Sequence, residues 1–160
     1  MQPRLKAQNI SPQAFQAMLG LETYIRKSSK LEPSLLELVR MRASQINGCA
    51  FCLDMHSKDA RAAGETEQRL YTLDAWHETP FFTDRERAAL AWTEAVTLVA
   101  EGHVPDEVFE EARKHFSDEE LINLTLAVVT INGWNRLSIA FRAVPGEYQP
   151  SGRQTHTAKQ

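Results

Sequence analysis

The sequence predicts an all-α fold, and three features of the chain carry this prediction. Apolar residues recur at the spacing of an amphipathic helix along almost the whole length. Serine, threonine and proline stand at positions typical of helix starts, and glycines follow the ends of several apolar stretches. No alternation of apolar and polar residues is long enough to indicate a β-strand. We therefore expect a bundle of about six to seven helices, with an antiparallel pair that carries two cysteines.

The predicted helices lie at about residues 12–26, 33–47, 49–63, 66–76, 84–100, 106–115 and 118–142. The first begins behind Ser11, an N-cap residue, with Pro12 in the first helical position. Pro33 opens the second helix, and Asn47-Gly48 ends it.

The later helices have equally local signals. The third begins near Cys49 and ends at Gly64, because glycine readily adopts the left-handed conformation that stops a helix. A loop at residues 77–82 follows the fourth. Two capping boxes open the fifth and seventh helices: Thr83 with Glu86, and Ser117 with Glu120.

Length and composition indicate one domain with a polar end. A chain of 160 residues is long enough to bury its own core without cross-links. We assign residues 1–145 to this domain. Residues 146–160 have almost no apolar side chains, so we expect a tail that is flexible or held against a neighbouring subunit.

The charge pattern excludes two classes of partner. The 18 basic and 21 acidic residues form no basic run, so neither nucleic acid nor a membrane is an expected partner. The N-terminal residues lack the apolar core of a secretory signal, and the most apolar run, residues 124–131, is too short to span a bilayer. We expect a soluble, cytoplasmic protein, and no feature predicts a bound cofactor.

The chemistry is concentrated in one short motif. Cys49 and Cys52 are the only cysteines, and His56 follows four residues after the second. All three share one face of the third helix, which Ala60 and Ala63 continue, so we expect another helix to cover it. Thiols at this spacing can close a disulfide, and the helix dipole stabilises a thiolate in the first turn. In a reducing compartment such a lone pair is more often catalytic or metal-binding than structural.

Glu37 is the predicted partner of His56. If the chain reverses after the second helix into an antiparallel pair, Glu37 faces the level of residue 58, about half a turn from His56. The carboxylate would orient the imidazole, which would withdraw a proton from Cys52. Cys52 is then the better nucleophile, and Cys49, without a base beside it, is the resolving thiol that forms the disulfide.

Two other interpretations of these residues stay open. The cysteines could be ordinary buried thiols, with a structural His56 and a solvated Glu37. They could also bind zinc with His56 and either Glu37 or His77, although structural zinc sites usually take two ligand pairs from separate segments.

The motif and its flanks resemble a known family. The string Glu37-x11-Cys49-x2-Cys52-x3-His56, preceded at the first cysteine by Ile-Asn-Gly, is similar to the alkylhydroperoxidase AhpD core of the carboxymuconolactone decarboxylase-like superfamily. Two further segments look like those usual in that family: Phe-Thr-Asp-Arg-Glu-Arg-Ala-Ala-Leu at residues 82–90 and Ile-Asn-Gly-Trp-Asn-Arg at residues 131–136. The similarity therefore covers about residues 15–143.

The resemblance implies an all-helical homo-oligomer, commonly a trimer or hexamer, that reduces hydroperoxides and is re-reduced by a dithiol partner such as a lipoyl-bearing protein. It implies Cys52 as the peroxidatic cysteine and Cys49 as the resolving one. His56 and Glu37 would form the proton relay. The sequence departs from the best-known peroxidases at Phe51, where they carry a second histidine, which implies a shorter relay and weaker turnover or another substrate.

Three alternative functions are a general disulfide oxidoreductase with little peroxidase activity, a lactone decarboxylase-like enzyme, and a non-enzymatic stress protein. The lactone decarboxylases of the family act without this cysteine pair, so its presence argues against them. A non-enzymatic role would leave the thiols dispensable, which a double cysteine variant would show.

The apolar faces of two helices predict assembly. The second helix is apolar nearly all round, at Leu35, Leu36, Leu38, Val39, Met41, Ala43 and Ile46. The last helix is similarly rich over residues 121–139. Because one domain of this size cannot easily cover both, we expect a homo-oligomer that also keeps Glu37 partly desolvated.

Overall fold

The computed structural model describes residues 1–150 and confirms the all-α prediction. These residues form nine α-helices, one 3₁₀ segment and no β-strand. The elements are α1 (Ala7–Ile10), α2 (Pro12–Ser28), α3 (Pro33–Asn47), α4 (Ala50–Ala62), α5 (Glu67–Thr72), the 3₁₀ segment (Leu73–Glu78), α6 (Asp84–Thr97), α7 (Val99–Gly102), α8 (Asp106–His115) and α9 (Asp118–Phe141). The predicted number of helices is therefore too low.

The additional elements are short, and each has a local cause. The predicted helix at 84–100 divides into α6 and α7, because Leu98 leaves the helical conformation with φ −95° and ψ 26°. The predicted helix at 66–76 changes from α5 to the 3₁₀ segment at Leu73. α1 is a single turn without a side-chain cap, so no pattern spanning several turns marks it.

The long helices begin and end close to their predicted signals. Both capping boxes are present, with Thr83 and Ser117 each exchanging hydrogen bonds with a glutamate three residues on. Gly48 ends α3 in the left-handed conformation, with φ 66°, and turns the chain directly into α4. Ser11 lies at the N-cap of α2, but its side chain makes no capping hydrogen bond.

α3 is the central helix and packs against α4, α6 and α9. Of its seven predicted apolar residues, Ile46 is half-buried, and the other six are buried within one chain: Leu35, Leu36, Leu38, Val39, Met41 and Ala43. The expectation that α3 needs a neighbouring subunit to cover it is therefore wrong. The three surrounding helices supply the cover, and this places α3, with Glu37, in the interior.

α9 is covered on one side only. Residues such as Leu124 and Val128 join the core, whereas Ile122, Val129 and Ile139 are 69%, 51% and 46% exposed. The expected homo-oligomer would cover this exposed side of α9. None of the helices in residues 1–150, including the 24-residue α9, is long and apolar enough to cross a membrane.

The chain returns to α4 after α9. Gly146 and Tyr148 both hydrogen-bond side chains of α4 in the same chain. The first five residues of the predicted tail thus lie on their own domain. Residues 151–160 of that tail are outside the described part of the chain.

Candidate active site

The site lies where α3 turns into α4. Gly48 reverses the chain, so the two helices form an antiparallel pair that brings Glu37 opposite His56. This is the arrangement that the sequence predicts. The cysteines pack with Ala43 of α3, Ile131 and Trp134 of α9, and Phe51 beside them on α4. The thiols therefore lie between three helices in largely apolar surroundings.

Cys49 and Cys52 are free thiols, and each is only 1% exposed. Their Sγ atoms are 2.6 Å apart, so a disulfide needs only a small movement to form. Cys49 is the N-cap of α4, and its sulfur accepts a hydrogen bond from the backbone N–H of Cys52 at 3.4 Å. The two thiols are thus placed to exchange a proton or to form a bond.

The surroundings favour different protonation states for the two sulfurs. The hydrogen bond from the Cys52 thiol lowers the pKa of Cys49 to about 7, although burial acts in the opposite direction. The same hydrogen bond, followed by burial, raises the pKa of Cys52. The positive end of the α4 dipole also favours a thiolate at the N-cap. When the reduced pair loses a proton, the negative charge therefore lies preferentially on Cys49, a difference that was not predicted from the sequence.

α9 contributes two polar groups at the thiols. Ser138 Oγ lies 3.8 Å from Cys52 Sγ. The side chains of Ser138 and the fully buried Asn135 hydrogen-bond the sulfurs and act to lower the pKa of both. Asn135 is fixed by Asn47, which donates to its Oδ1 at 2.9 Å, and by Ser44, which accepts from its Nδ2 at 3.0 Å. Asn135 and Ser138 were not among the predicted site residues, although Asn132 and Asn135, one turn apart in an apolar helix, indicate a buried polar site.

His56 is buried, and its Nδ1 lies 2.8 Å from Oε2 of Glu37. An ionised carboxylate only accepts hydrogen bonds, so Nδ1 carries a hydrogen, and in the neutral imidazole Nε2 then has the free lone pair. Nε2 is therefore the atom that can accept a proton from a thiol. No direct hydrogen bond joins His56 to either sulfur within residues 1–150, so a relay to Cys52 requires a bridging water or a small shift of the ring.

Glu37 is held in its ionised form by basic neighbours. Burial raises the pKa of Glu37, but the hydrogen bond from His56 and the charge of Arg40 outweigh it and hold the pKa below its ordinary value. The buried Arg40 donates to Glu37 Oε1 at 2.6 Å and to Glu22 of α2 at 2.8 Å. Arg40 was not among the predicted site residues, although its spacing of three from Glu37 places both on one helix face.

A second carboxylate adjoins the histidine. Potential metal-binding atoms of Glu37, His56 and Asp59 lie within 4.8 Å of one another. Asp59 Oδ1 accepts a hydrogen bond from the Tyr148 hydroxyl at 2.7 Å. Both carboxylates are thus already engaged by donors of the chain, which favours a hydrogen-bond network over a metal site.

The zinc alternative receives no support from the placement of its ligands. Neither cysteine belongs to the cluster of Glu37, His56 and Asp59. His77 is exposed and lies 3.6 Å from Glu94 of α6, away from this cluster. Within the described chain, the predicted zinc ligands therefore do not form one group.

Two other expectations concern residues near the cysteines and His56 in the sequence. Ala60 is buried as predicted, but Ala63 is exposed, because α4 ends at Ala62. Phe51 is half-buried and packs against the cysteine cluster. An apolar ring therefore stands where the peroxidases that this sequence resembles carry a second histidine.

The fold and the site define the class of protein. The Carboxymuconolactone decarboxylase family profile matches residues 12–95, a range that includes Glu37, Cys49, Cys52 and His56. The chain belongs to the carboxymuconolactone decarboxylase family, and its fold is AhpD-like. Both the resemblance found in the sequence and the predicted fold class are confirmed.

Individual relatives refine this assignment. YdfG, an uncharacterized protein of Bacillus subtilis, is 44% identical over 140 residues, which span 88% of this chain and 95% of YdfG. ATU0492 of Agrobacterium tumefaciens, a protein of unknown function suggested to be the antioxidant defence protein AhpD, matches with a TM-score of 0.88 and 45% identity over 92% of this chain and 100% of its own. The debrominase Bmp8 matches with a TM-score of 0.78 over 88% of this chain and 75% of its own, at 22% identity, so it shares the fold alone.

Proposed function

We propose that the protein is a thiol-dependent peroxidase in which Cys49 and Cys52 are the redox pair and His56 with Glu37 is the proton relay. One observation carries the proposal: two buried sulfurs 2.6 Å apart share a helix with a histidine that is hydrogen-bonded to an ionised carboxylate. Inert buried thiols would need no such base. The suggested antioxidant role of ATU0492, at 45% identity, is consistent with this function.

The first half of the reaction oxidises Cys52. His56 Nε2 takes the Cys52 proton, and the thiolate attacks the terminal oxygen of a hydroperoxide. The O–O bond breaks, Cys52 becomes a sulfenic acid, and the alcohol leaves with the proton from His56. Glu37 stabilises the imidazolium between these two transfers.

The second half uses Cys49. Its thiolate attacks the sulfenic sulfur, so the disulfide forms and hydroxide leaves, to be protonated to water. A dithiol partner, such as a lipoyl-bearing protein, then reduces the disulfide and is itself oxidised. This scheme agrees with the protonation state that the surroundings favour at each cysteine, because Cys49 attacks as a thiolate and Cys52 is the thiol that needs a base. We assign the reaction to the cytoplasm, where dithiol partners are kept reduced.

A general disulfide oxidoreductase is the second candidate. The N-cap position of Cys49 and its pKa of about 7 are typical of a thiol that attacks a substrate disulfide. Phe51 beside the sulfurs also leaves a single histidine in the relay. In this function Cys49 attacks first, and Cys52 closes the protein disulfide.

Rapid mixing of the reduced protein with an alkyl hydroperoxide tests the proposal. The intact mass should fall by two hydrogens as one disulfide forms, because the two sulfurs are already adjacent. Parallel mixing with hydroxyethyl disulfide tests the second candidate. Rapid oxidation of the protein by this disulfide, without rapid oxidation by the hydroperoxide, would identify a disulfide oxidoreductase and not a peroxidase. The double variant Cys49→Ser/Cys52→Ser is the control. A wild-type protein that reacts with neither oxidant would overturn both functions.

A further inference from the structure

The segment after α9 is held along α4 by its backbone. We call residues 146–150 the C-terminal strap. The N–H of Gly146 donates to Asp54 Oδ2 at 2.9 Å. Lys58 Nζ donates to the backbone oxygens of Tyr148 at 3.1 Å and of Gly146 at 3.3 Å. The strap is therefore fixed to α4 by contacts that do not involve its tyrosine ring.

The strap brings the Tyr148 hydroxyl to the edge of the relay. The hydroxyl donates to Asp59, which in turn lies within 4.8 Å of the nearest ligand atoms of Glu37 and His56. Burial, followed by the hydrogen bond to Asp59, raises the pKa of Tyr148 to about 12. The hydroxyl is consequently a neutral donor throughout the range in which thiols and imidazoles titrate.

The charged groups near the relay come from three helices. They are Glu22 and Arg26 on α2, Glu37 and Arg40 on α3, and Asp54, Lys58 and Asp59 on α4. α9 presents the uncharged Asn135 and Ser138 to the thiols. Arg40 is bonded to the two glutamates and Lys58 to Asp54 and the strap. Within residues 1–150, Tyr148 is the only side-chain donor to Asp59.

We propose that Tyr148 is a positioning residue for the Glu37–His56 relay and that it acts through Asp59. Its hydrogen bond withdraws negative charge from Asp59 and fixes that carboxylate, so the His56 Nδ1–H stays on Glu37. Without the hydroxyl, Asp59 becomes a competing acceptor and keeps the imidazole protonated to a higher pH. Fewer molecules then hold the basic Nε2 that accepts the thiol proton. This inference rests on the relay of the proposed function.

Tyr148→Phe tests the inference, because it removes the hydroxyl and keeps the ring. The rate at which methyl methanethiosulfonate modifies Cys52 is measured from about pH 5 to about pH 9 in a Cys49→Ser background, so that the Cys49 thiolate does not contribute. We expect the acid limb of the profile to move by about half a pH unit to higher pH. The matched control is Tyr71→Phe, since Tyr71 is 77% exposed and no hydrogen bond to its hydroxyl is present within residues 1–150. Its profile should superimpose on that of the wild type.

The variant Asp59→Asn tests the path. Once the charge of Asp59 is removed, the Tyr148 hydroxyl has no carboxylate to restrain, so adding Tyr148→Phe should leave the profile of Asp59→Asn unchanged. The inference would be overturned if the acid limbs of the two single variants shift additively in the double variant. It would also be overturned if the acid limb of Tyr148→Phe moves to lower pH or does not move from that of the wild type. Thermal unfolding of each variant checks that the fold is retained.

The reagent separates this inference from the proposed function. Methyl methanethiosulfonate reports thiol reactivity without any peroxide. A protein that fails to consume hydroperoxide can therefore still show the Tyr148 effect, and an active peroxidase can lack it.

Discussion

Cys49 and Cys52 are chemically identical side chains that their surroundings make different. The sulfur of Cys49 accepts a hydrogen bond from the backbone N–H of Cys52, and the adjacent Cys52 thiol lowers the pKa of Cys49. Cys52 is a donor whose proton must leave before its sulfur can attack. Which cysteine attacks the oxidant therefore depends on which sulfur is deprotonated when the oxidant arrives.

The single-cysteine variants are expected to differ. Cys52→Ser should abolish hydroperoxide consumption, whereas Cys49→Ser should still permit one oxidation to the sulfenic acid, because only the first removes the proposed nucleophile. Trapping with dimedone and peptide mass spectrometry locates the sulfenic acid. Labelling of Cys49 in Cys52→Ser, with none of Cys52 in Cys49→Ser, would reverse the two roles.

Glu37→Gln is expected to slow oxidation of Cys52 at neutral pH by about tenfold or more, because the imidazolium loses its stabilising charge. The effect should be much smaller at strongly alkaline pH, where hydroxide can remove the Cys52 proton in place of the relay. Stopped-flow rates at the two pH values measure the difference. Glu101→Gln, on the exposed surface of α7, is the control. Equal rates for wild type and Glu37→Gln would exclude the relay.

Glu37 should also link stability to pH. Its pKa is lowered in the folded protein, so the stability it contributes is present above the ordinary carboxyl pKa and is lost as the pH falls through the folded value. Glu37→Gln should therefore lower the free energy of unfolding at neutral pH, and the difference from wild type should shrink in acid. Urea unfolding at a series of pH values measures it. A constant difference would show that the charge of Glu37 is not responsible.

The α3–α4 pair could be predicted because its signals are local. The turn at Gly48 and the offset between Glu37 and His56 are both fixed by sequence spacing and helix geometry. Asn135 and Tyr148 reach the same site from α9 and the strap, and no short pattern connects them to α4. The predicted pairing thus followed from the chain's local geometry, whereas the polar groups that tune it depend on tertiary packing.

Two glycine substitutions should have opposite effects on these helices. Gly48→Ala should lower the free energy of unfolding by about 1 kcal/mol, because a side chain strains the left-handed backbone at φ 66°. Gly20→Ala, in the interior of α2, should raise it by about 0.5–1 kcal/mol. A β-carbon has no atom within 4 Å at either position, so the contrast isolates the backbone term. Urea unfolding measures both, and equal shifts would contradict this account.

At the scale of the whole molecule, the exposed side of α9 predicts self-association. Wild-type protein should scatter light as a trimer or hexamer at micromolar concentration. Val129→Glu should shift it towards monomer, because Val129 lies 51% exposed on that side. Val99→Glu is the matched control, since Val99 is 47% exposed on α7. A monomeric wild-type protein would exclude the predicted assembly.

The 1% exposure of each cysteine residue has a kinetic consequence for the proposed function. In the proposed peroxidase cycle, a hydroperoxide would reach Cys49 or Cys52 only after a brief local opening of the side chains packed against them, which include Phe51 and Trp134. The observed rate constant is then the open fraction multiplied by the rate of the chemistry. A bulky reductant needs a wider opening than a small peroxide, and the two halves of the cycle would respond differently to temperature and to low concentrations of urea. The cover of the thiols would therefore act as a size-dependent gate whose stability sets the pace of the redox cycle.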